Sequence, residues 1–332
     1  MSSSALVTIH ASQFPDAARR DLLQSLRTRR VNHKFHYDSL KQTQEWLALH
    51  QALSPSRNDA DVAAMYDQGF AGAVSCLAAP RAHVIGLGCG GGQKDHRLLQ
   101  RLRGAGKGIF YTPCDVSVAM TLVARQTALD TVPEANCFPF VCDLATAEDL
   151  PAALGKFGPP DAARLVTFFG MIPNFEPGSI LPKLAGTLRP ADLLLFSANL
   201  VPGPEYAAGV QRILLQYDNP PTHEWLMTFL LDLGVERDDG DLRFSVEENA
   251  ELRRVVARFC FARSRRIEIG GDTFQFRAGE AIQLFFSYRY TADLVRETLA
   301  RHGLRVLEEW VAKSEEEGLF LVEQNSGSAG HR

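Results

Sequence analysis

Val84-Ile85-Gly86-Leu87-Gly88-Cys89-Gly90-Gly91-Gly92 is an apolar run that breaks up into glycines. A short apolar run closed by a turn reads as a buried strand, here residues 82–87. The glycines beyond it allow a sharp backbone turn and close approach by a ligand. Residues 93–102 then suit a helix, whose free N–H groups and partial positive charge face the turn. The rhythm continues to residue 200. Residues 108–111, 138–142, 165–169 and 193–197 are further apolar runs, and 117–129 is a second helical stretch. Strands alternating with helices imply βαβ units, hence an α/β fold with a doubly wound parallel sheet covered on both faces.

Residues 201–290 break that rhythm. Val201-Pro202-Gly203-Pro204 reads as a linker. Helical stretches follow at 206–215 and from about Thr222. Short strands come next at 259–263, 266–269, 273–277 and 282–288, with Gly270-Gly271 as a tight turn between the second and third. This reads as an inserted α+β domain. Residues 1–78 carry helical patterns and no strand. Trp46, Leu49 and Leu53 form one stripe, Pro55 stops that helix, and Asn58-Asp59-Ala60-Asp61 caps another that runs to about Leu77. Residues 291–325 rejoin the first rhythm. Thr291 caps a helix to His302, Gly303 ends it, and 304–310 and 319–323 form closing strands. The expected domains are thus 1–78, a helical segment that joins the inserted domain; 79–200 with 291–325; and the insertion, 201–290. The tail 325–332 is expected to be disordered.

The 332 residues are 45% hydrophobic and 22% charged, which excludes a disordered or collagen-like chain. Lys and Arg number 35 against 39 Asp and Glu, a net charge of −4, so no nucleic-acid partner is expected. No apolar run approaches the roughly 18–20 residues of a membrane span. Met1-Ser2-Ser3-Ser4 opens neither a signal peptide nor a lipidation motif. The expectation is a cytoplasmic protein with no membrane partner. Six cysteines without a Cys-x-x-Cys pair read as free thiols. His33 and His36 form His-x-x-His, but no third ligand is spaced near them, so no metal is expected.

The glycine run is ambiguous by itself. Gly86-x-Gly88-x-x-Gly91 satisfies a dinucleotide fingerprint. Gly86-x-Gly88-x-Gly90 equally satisfies the loop of enzymes that use S-adenosylmethionine (SAM). Two acids discriminate. Asp115 follows the second strand, where a carboxylate can accept hydrogen bonds from both ribose hydroxyls. Asp143 follows the third, where it can bind an adenine amino group while Leu144 packs on the ring. A dehydrogenase uses the first acid and has little need of the second. Asn174 follows the fourth strand, on the side of the sheet where ligands bind.

Together these residues resemble a known family, the histidine-specific SAM-dependent methyltransferases of ergothioneine biosynthesis. The resemblance runs from about Lys34 to about Glu323, at low identity but in consistent order. It is carried by Lys34-Phe35-His36-Tyr37-Asp38, Pro55-Ser56-Arg57, Leu87-Gly88-Cys89-Gly90 with Lys94, Tyr111 to Ser117, Phe169 to Asn174, Gln216-Tyr217-Asp218, and Gly279-Glu280 with Ser287. It implies a class I methyltransferase-like sheet whose insertion is a substrate-binding domain. SAM would be bound by Gly88, Gly90, Lys94, Asp115, Asp143 and Tyr37, with Gly86 and Leu144 in the same pocket. Asn174 and Tyr217 would hold the amino and carboxylate groups of an amino-acid-like substrate and orient its amine for reaction. Ser287 would line the side-chain pocket.

Three departures bear on the substrate. Gly86 stands where the family usually has an acid. Phe285 stands where it has the glutamate that grips imidazole. Leu53-Ser54 replaces an aromatic pair before the proline. A site loses much of its selectivity when its hydrogen-bonding partners go. The expectation is therefore a SAM-dependent N-methyltransferase of an amino acid or related small molecule other than histidine. Intramolecular alkylation by a SAM enzyme and non-catalytic SAM binding are the alternatives.

Overall fold

The computed structural model describes residues 4–325. Its strands are β1 (Thr8–Ile9), β2 (Arg81–Leu87), β3 (Gly108–Asp115), β4 (Phe140–Val141), β5 (Ala163–Phe169), β6 (Leu193–Asn199), β7 (Gly240–Asn249), β8 (Leu252–Phe261), β9 (Arg265–Ile269), β10 (Asp272–Phe276), β11 (Ala281–Arg289), β12 (Leu304–Val311) and β13 (Glu317–Gln324). The chain folds as two compact units. Met1–Gln13, Pro55–Leu200 and Tyr290–Arg332 form a sheet unit; Phe14–Ser54 and Val201–Arg289 form an insertion unit.

The sheet unit is built on eight strands in the order β1-β4-β3-β2-β5-β6-β13-β12. Strands β1 to β6 pair in parallel, and β13 runs antiparallel between β6 and β12. Strands β2, β5 and β6 are buried along almost their whole length because both faces of the sheet are covered. The chain leaves β2 towards one edge and β5 towards the other, so the ends of these two neighbours flank the topological switch point. The helix Ala60–Ser75 shows how local sequence builds the layer over the sheet. Asp59 caps it by accepting the N–H groups of Asp61 and Val62, and Val62, Met65, Tyr66, Gly69, Phe70 and Ala73 form its buried stripe. Phe70 and Tyr66 pack with Leu98, Leu165, Leu195 and Leu319 in one core.

The insertion unit holds the antiparallel sheet β11-β8-β7 and the hairpin β9-β10, whose turn is Gly270-Gly271 with φ of 52° and 93°. Helices Pro15–Thr28, Leu40–Leu53, Tyr206–Tyr217 and Pro220–Asp232 accompany them. Phe35, Trp225, Phe229, Phe259, Phe276 and Phe285 belong to its own core.

Several expectations change. The stretch 1–78 divides between the units: Phe14–Ser54 joins the insertion, whereas the helix Ala60–Ser75 belongs to the sheet unit. It also contains β1, a two-residue strand paired with β4 and too short to show a period. Strand β7 and the first half of β8 carry no apolar run because charges interrupt them. Glu247 pairs with Arg254 and Arg258, and Glu248 with Arg253, across the two strands. Most of the tail expected to be disordered, and of the Met1-Ser opening, lies outside the described residues. Among the described residues, no helix is long and apolar enough to cross a membrane.

Gly69 offers a stability test. A Cβ there would lie 2.2 Å from Leu319 Cδ2 and 3.1 Å from the Trp310 ring. In an open helix, Gly→Ala gains about 1 kcal/mol. Gly69→Ala should instead lower stability by about 1–3 kcal/mol through overpacking, read as a lower urea midpoint. An unchanged or raised midpoint would show that Leu319 yields freely.

Candidate active site

In the sheet unit the glycine turn is tied to the end of β3. The Cys89 N–H donates to the Cys114 carbonyl and the Gly90 N–H to Asp115 Oδ2, each at 3.0 Å. Asp115 Oδ1 accepts the Ser117 N–H at 3.0 Å, and Ser117 caps the following helix. Burial raises the Asp115 carboxyl above its usual range, opposed by these backbone donors. Gly88 has a φ of 66°, and a Cβ on it would meet the Met171 side chain at 2.6 Å. Asp143, also buried, accepts the Ala145 N–H at 2.9 Å, and its own N–H donates to Ser12 Oγ at 3.0 Å. Leu144 is buried beside it. Lys94 Nζ donates to the Tyr66 hydroxyl at 2.6 Å and lies 3.5 Å from Glu317, to which Tyr66 in turn donates. Asn174 ends the single turn Ile172–Asn174 after β5 and is half-buried.

Gly86 has a specific neighbour. The Asp95 carboxylate lies so close that a Cβ at residue 86 would be 2.1 Å from Oδ2. Asp95 is buried and accepts the Tyr111 hydroxyl at 2.8 Å and the Thr167 hydroxyl at 2.7 Å. The acid absent from position 86 is thus matched by one reaching in from the helix Gln93–Gly104. Burial raises the Asp95 carboxyl to about 6, against the pull of the two hydroxyls and Lys94.

In the insertion unit, Tyr217, Phe285 and Ser287 come together. The Tyr217 hydroxyl donates to Ser287 Oγ at 2.8 Å, and the Tyr217 and Phe285 rings are 5.8 Å apart. Arg289 Nη2 donates to the Tyr217 hydroxyl at 2.7 Å. Tyr37 belongs to this unit, its ring 5.6 Å from Trp225 and 5.9 Å from Trp46. Trp225 meets Phe285 edge-on at 5.8 Å. His33 lies 5.2 Å from the Phe285 ring and 6.3 Å from His36. Burial lowers His33 to about 3 and His36 to about 4, so both are neutral near pH 7. Both His33 nitrogens are buried without a hydrogen-bond partner among the described residues, while His36 Nε2 bonds the Leu284 carbonyl at 2.7 Å.

A turn that excludes side chains, a helix N-terminus and buried carboxylates after two successive strands suit an adenosyl cofactor. With the strand order, they define a class I methyltransferase-type enzyme. The chain belongs to the histidine-specific, SAM-dependent methyltransferase family, whose model matches residues 18–324. It is 27% identical over 251 residues to a histidine N-alpha-methyltransferase of Mycobacterium tuberculosis, covering 72% of this chain and 74% of that one. It is 24% identical over 245 residues to the N-methyltransferase imqF of Aspergillus flavus, covering 71% of this chain and 65% of the relative. A solved SAM-dependent methyltransferase from Clostridium acetobutylicum aligns with 85% of this chain and 98% of its own, at 14% identity and a TM-score of 0.46. The protein is accordingly a SAM-dependent methyltransferase.

Asp95 and Arg289 had no place in the sequence reading. Asp95 was legible only as an acid in the first turn after a glycine loop. Arg289 was legible as a charge on the same face of a strand as Phe285 and Ser287.

Asp95 sets a pH dependence. Its folded carboxyl titrates near 6, above an unfolded value of about 3.9. The folded state therefore holds this proton more tightly. The resulting stability is full below about pH 4 and is lost as the pH rises through 6, a swing on the order of 2–3 kcal/mol. Asp95→Asn removes the titration. Relative to wild type, the variant should gain stability by that amount between pH 4.5 and 8 in urea titrations. A constant difference across the range would refute the buried, raised carboxyl.

Proposed function

We propose that the enzyme transfers a methyl group from SAM to the amine of an amino acid or related small molecule, and that histidine is not its substrate. The first half is supported by the family and by the printed activities of the relatives, both N-methyltransferases. The second half rests on Phe285. Phe285 is buried, and by the family resemblance it falls where the family has its imidazole-gripping glutamate. A bound imidazole N–H would lose its acceptor there, at roughly 1–3 kcal/mol, about fivefold to a hundredfold in affinity.

SAM supplies an electrophilic methyl group on a sulfonium. In this reading Gly88 and Gly90 let the cofactor lie against the backbone, while Gly86, expected to line the same pocket, makes room for the Asp95 carboxylate instead. Asp115 accepts its ribose hydroxyls, Asp143 and Leu144 hold the adenine, and the family resemblance also assigns Lys94 and Tyr37 to SAM. The family resemblance assigns Asn174 and Tyr217 to the substrate's head group, and for an in-line transfer positioning of the amine is what the protein mainly supplies. An α-amine with a pKa near ~8 needs only a weak base or water to become nucleophilic. We take the compartment to be the reducing cytosol, a reading supported by six free thiols.

Asp115→Ala should weaken S-adenosylhomocysteine binding by about 1–3 kcal/mol in calorimetry, and NAD should not bind. NAD binding without SAM binding would overturn the cofactor assignments. With SAM and a panel of amino acids and amines, mass spectrometry should find an N-methylated product other than methylated histidine. Efficient trimethylation of histidine would overturn the reading of Phe285. Methylthioadenosine formed without any acceptor would point instead to intramolecular alkylation.

A further inference from the structure

Phe285, Ser287 and Arg289 occupy alternate positions of β11, so they share one face of the strand. Tyr217 meets all three: the first through its ring at 5.8 Å, the second through a 2.8 Å hydrogen bond, the third through one of 2.7 Å. All three strand residues are buried. The face therefore grades from a phenyl ring through a hydroxyl to a guanidinium. The backbone at its charged end is fixed as well. The Tyr206 hydroxyl donates to the Arg289 carbonyl and accepts the Arg253 N–H, both at 2.7 Å.

The hydrogen bonds along this face have a direction. A guanidinium can only donate. The Tyr217 oxygen accepts from it and passes its own proton to Ser287 Oγ. Each hydroxyl carries one proton, so the relay ends in an O–H that must be donated onward. Charge at its start strengthens the donor at its end. An acceptor with no proton of its own completes such a relay, and among the polar groups of a free α-amino acid's backbone that is the carboxylate.

We propose that Arg289 is a specificity-determining positioning residue. Acting through Tyr217 and Ser287, it selects the carboxylate of an aromatic amino acid whose ring lies against Phe285. This rests on the amino-acid reading above and names the group and side-chain class recognised. The ring preference follows from the aromatic lining: Tyr217, Trp225 and His33 all flank Phe285.

The test uses L-phenylalanine, L-tyrosine and L-tryptophan, each paired with its decarboxylated amine. Binding is measured by calorimetry on the full chain saturated with S-adenosylhomocysteine. Wild type should bind at least one of the amino acids about 10–100-fold more tightly than its amine. Arg289→Gln should bring that ratio close to one by weakening the amino acid alone, and Arg289→Lys should restore part of it. Tyr217→Phe breaks the relay while keeping the guanidinium and should also reduce the ratio. It gives an answer if Arg289→Gln fails to fold. The proposal is overturned if wild type binds none of the three amino acids, or binds the amines as tightly. Equal weakening of both ligands by Arg289→Gln or Tyr217→Phe also overturns it. Tight, Arg289-dependent binding without methyl transfer would leave this inference standing and remove the N-methylation reading instead.

Discussion

One buried carboxylate holds the middle of the sheet unit. Asp95 reaches from the helix after the glycine turn into the space beside Gly86 on β2, and ties down Tyr111 of β3 and Thr167 of β5. These are three adjacent strands, and the switch point lies between the second and third. The arrangement requires glycine at position 86, because any side chain there would collide with the carboxylate. It also fixes the start of the helix whose N-terminus faces the cofactor turn. Removing the carboxylate would leave two buried hydroxyls without an acceptor, each at about 1–3 kcal/mol. The cofactor turn therefore takes its position from a side chain outside the glycine motif.

Two of the three departures from the family pattern differ in kind. At Gly86 the lost acid is replaced from another element, so the charge persists while its covalent origin moves. At Phe285 the flanking residues are Leu284 and Phe286, and the nearest polar ring is a neutral histidine. Compensation keeps a role; lack of it changes one. That contrast is why the same degree of sequence divergence leaves the cofactor class intact and alters the expected substrate.

The βαβ core was legible because a sheet buried on both faces needs continuous apolar strands, and β2, β5 and β6 have them. The places of the glycine turn, Asp115 and Asp143 in the fold were legible because they lie at the ends of β2, β3 and β4. What escaped depends on contacts distant in sequence. Asp95 gains its meaning from Tyr111 and Thr167, and Arg289 from Tyr217, 72 residues away. Strand β7 has no continuous apolar run; its signal is the alternation of Leu242, Phe244 and Val246 with Asp241, Arg243 and Ser245, which a search for apolar runs passes over. The division of residues 1–78 escaped because an amphipathic stripe shows that a face is buried without showing against what.

The interleaving of the two units has a consequence for biosynthesis. The helices Pro15–Thr28 and Leu40–Leu53 leave the ribosome early, yet the rest of their unit spans Val201–Arg289. The sheet unit waits longer still, since β13, the partner of both β6 and β12, follows every other described strand of its sheet. Neither unit can close as its first segments emerge, so non-local pairing dominates and apolar stripes stay uncovered until the later segments follow. At about 5–20 residues per second, that delay lasts on the order of ten seconds or more. A nascent chain of this design depends on protection from aggregation until both units have closed.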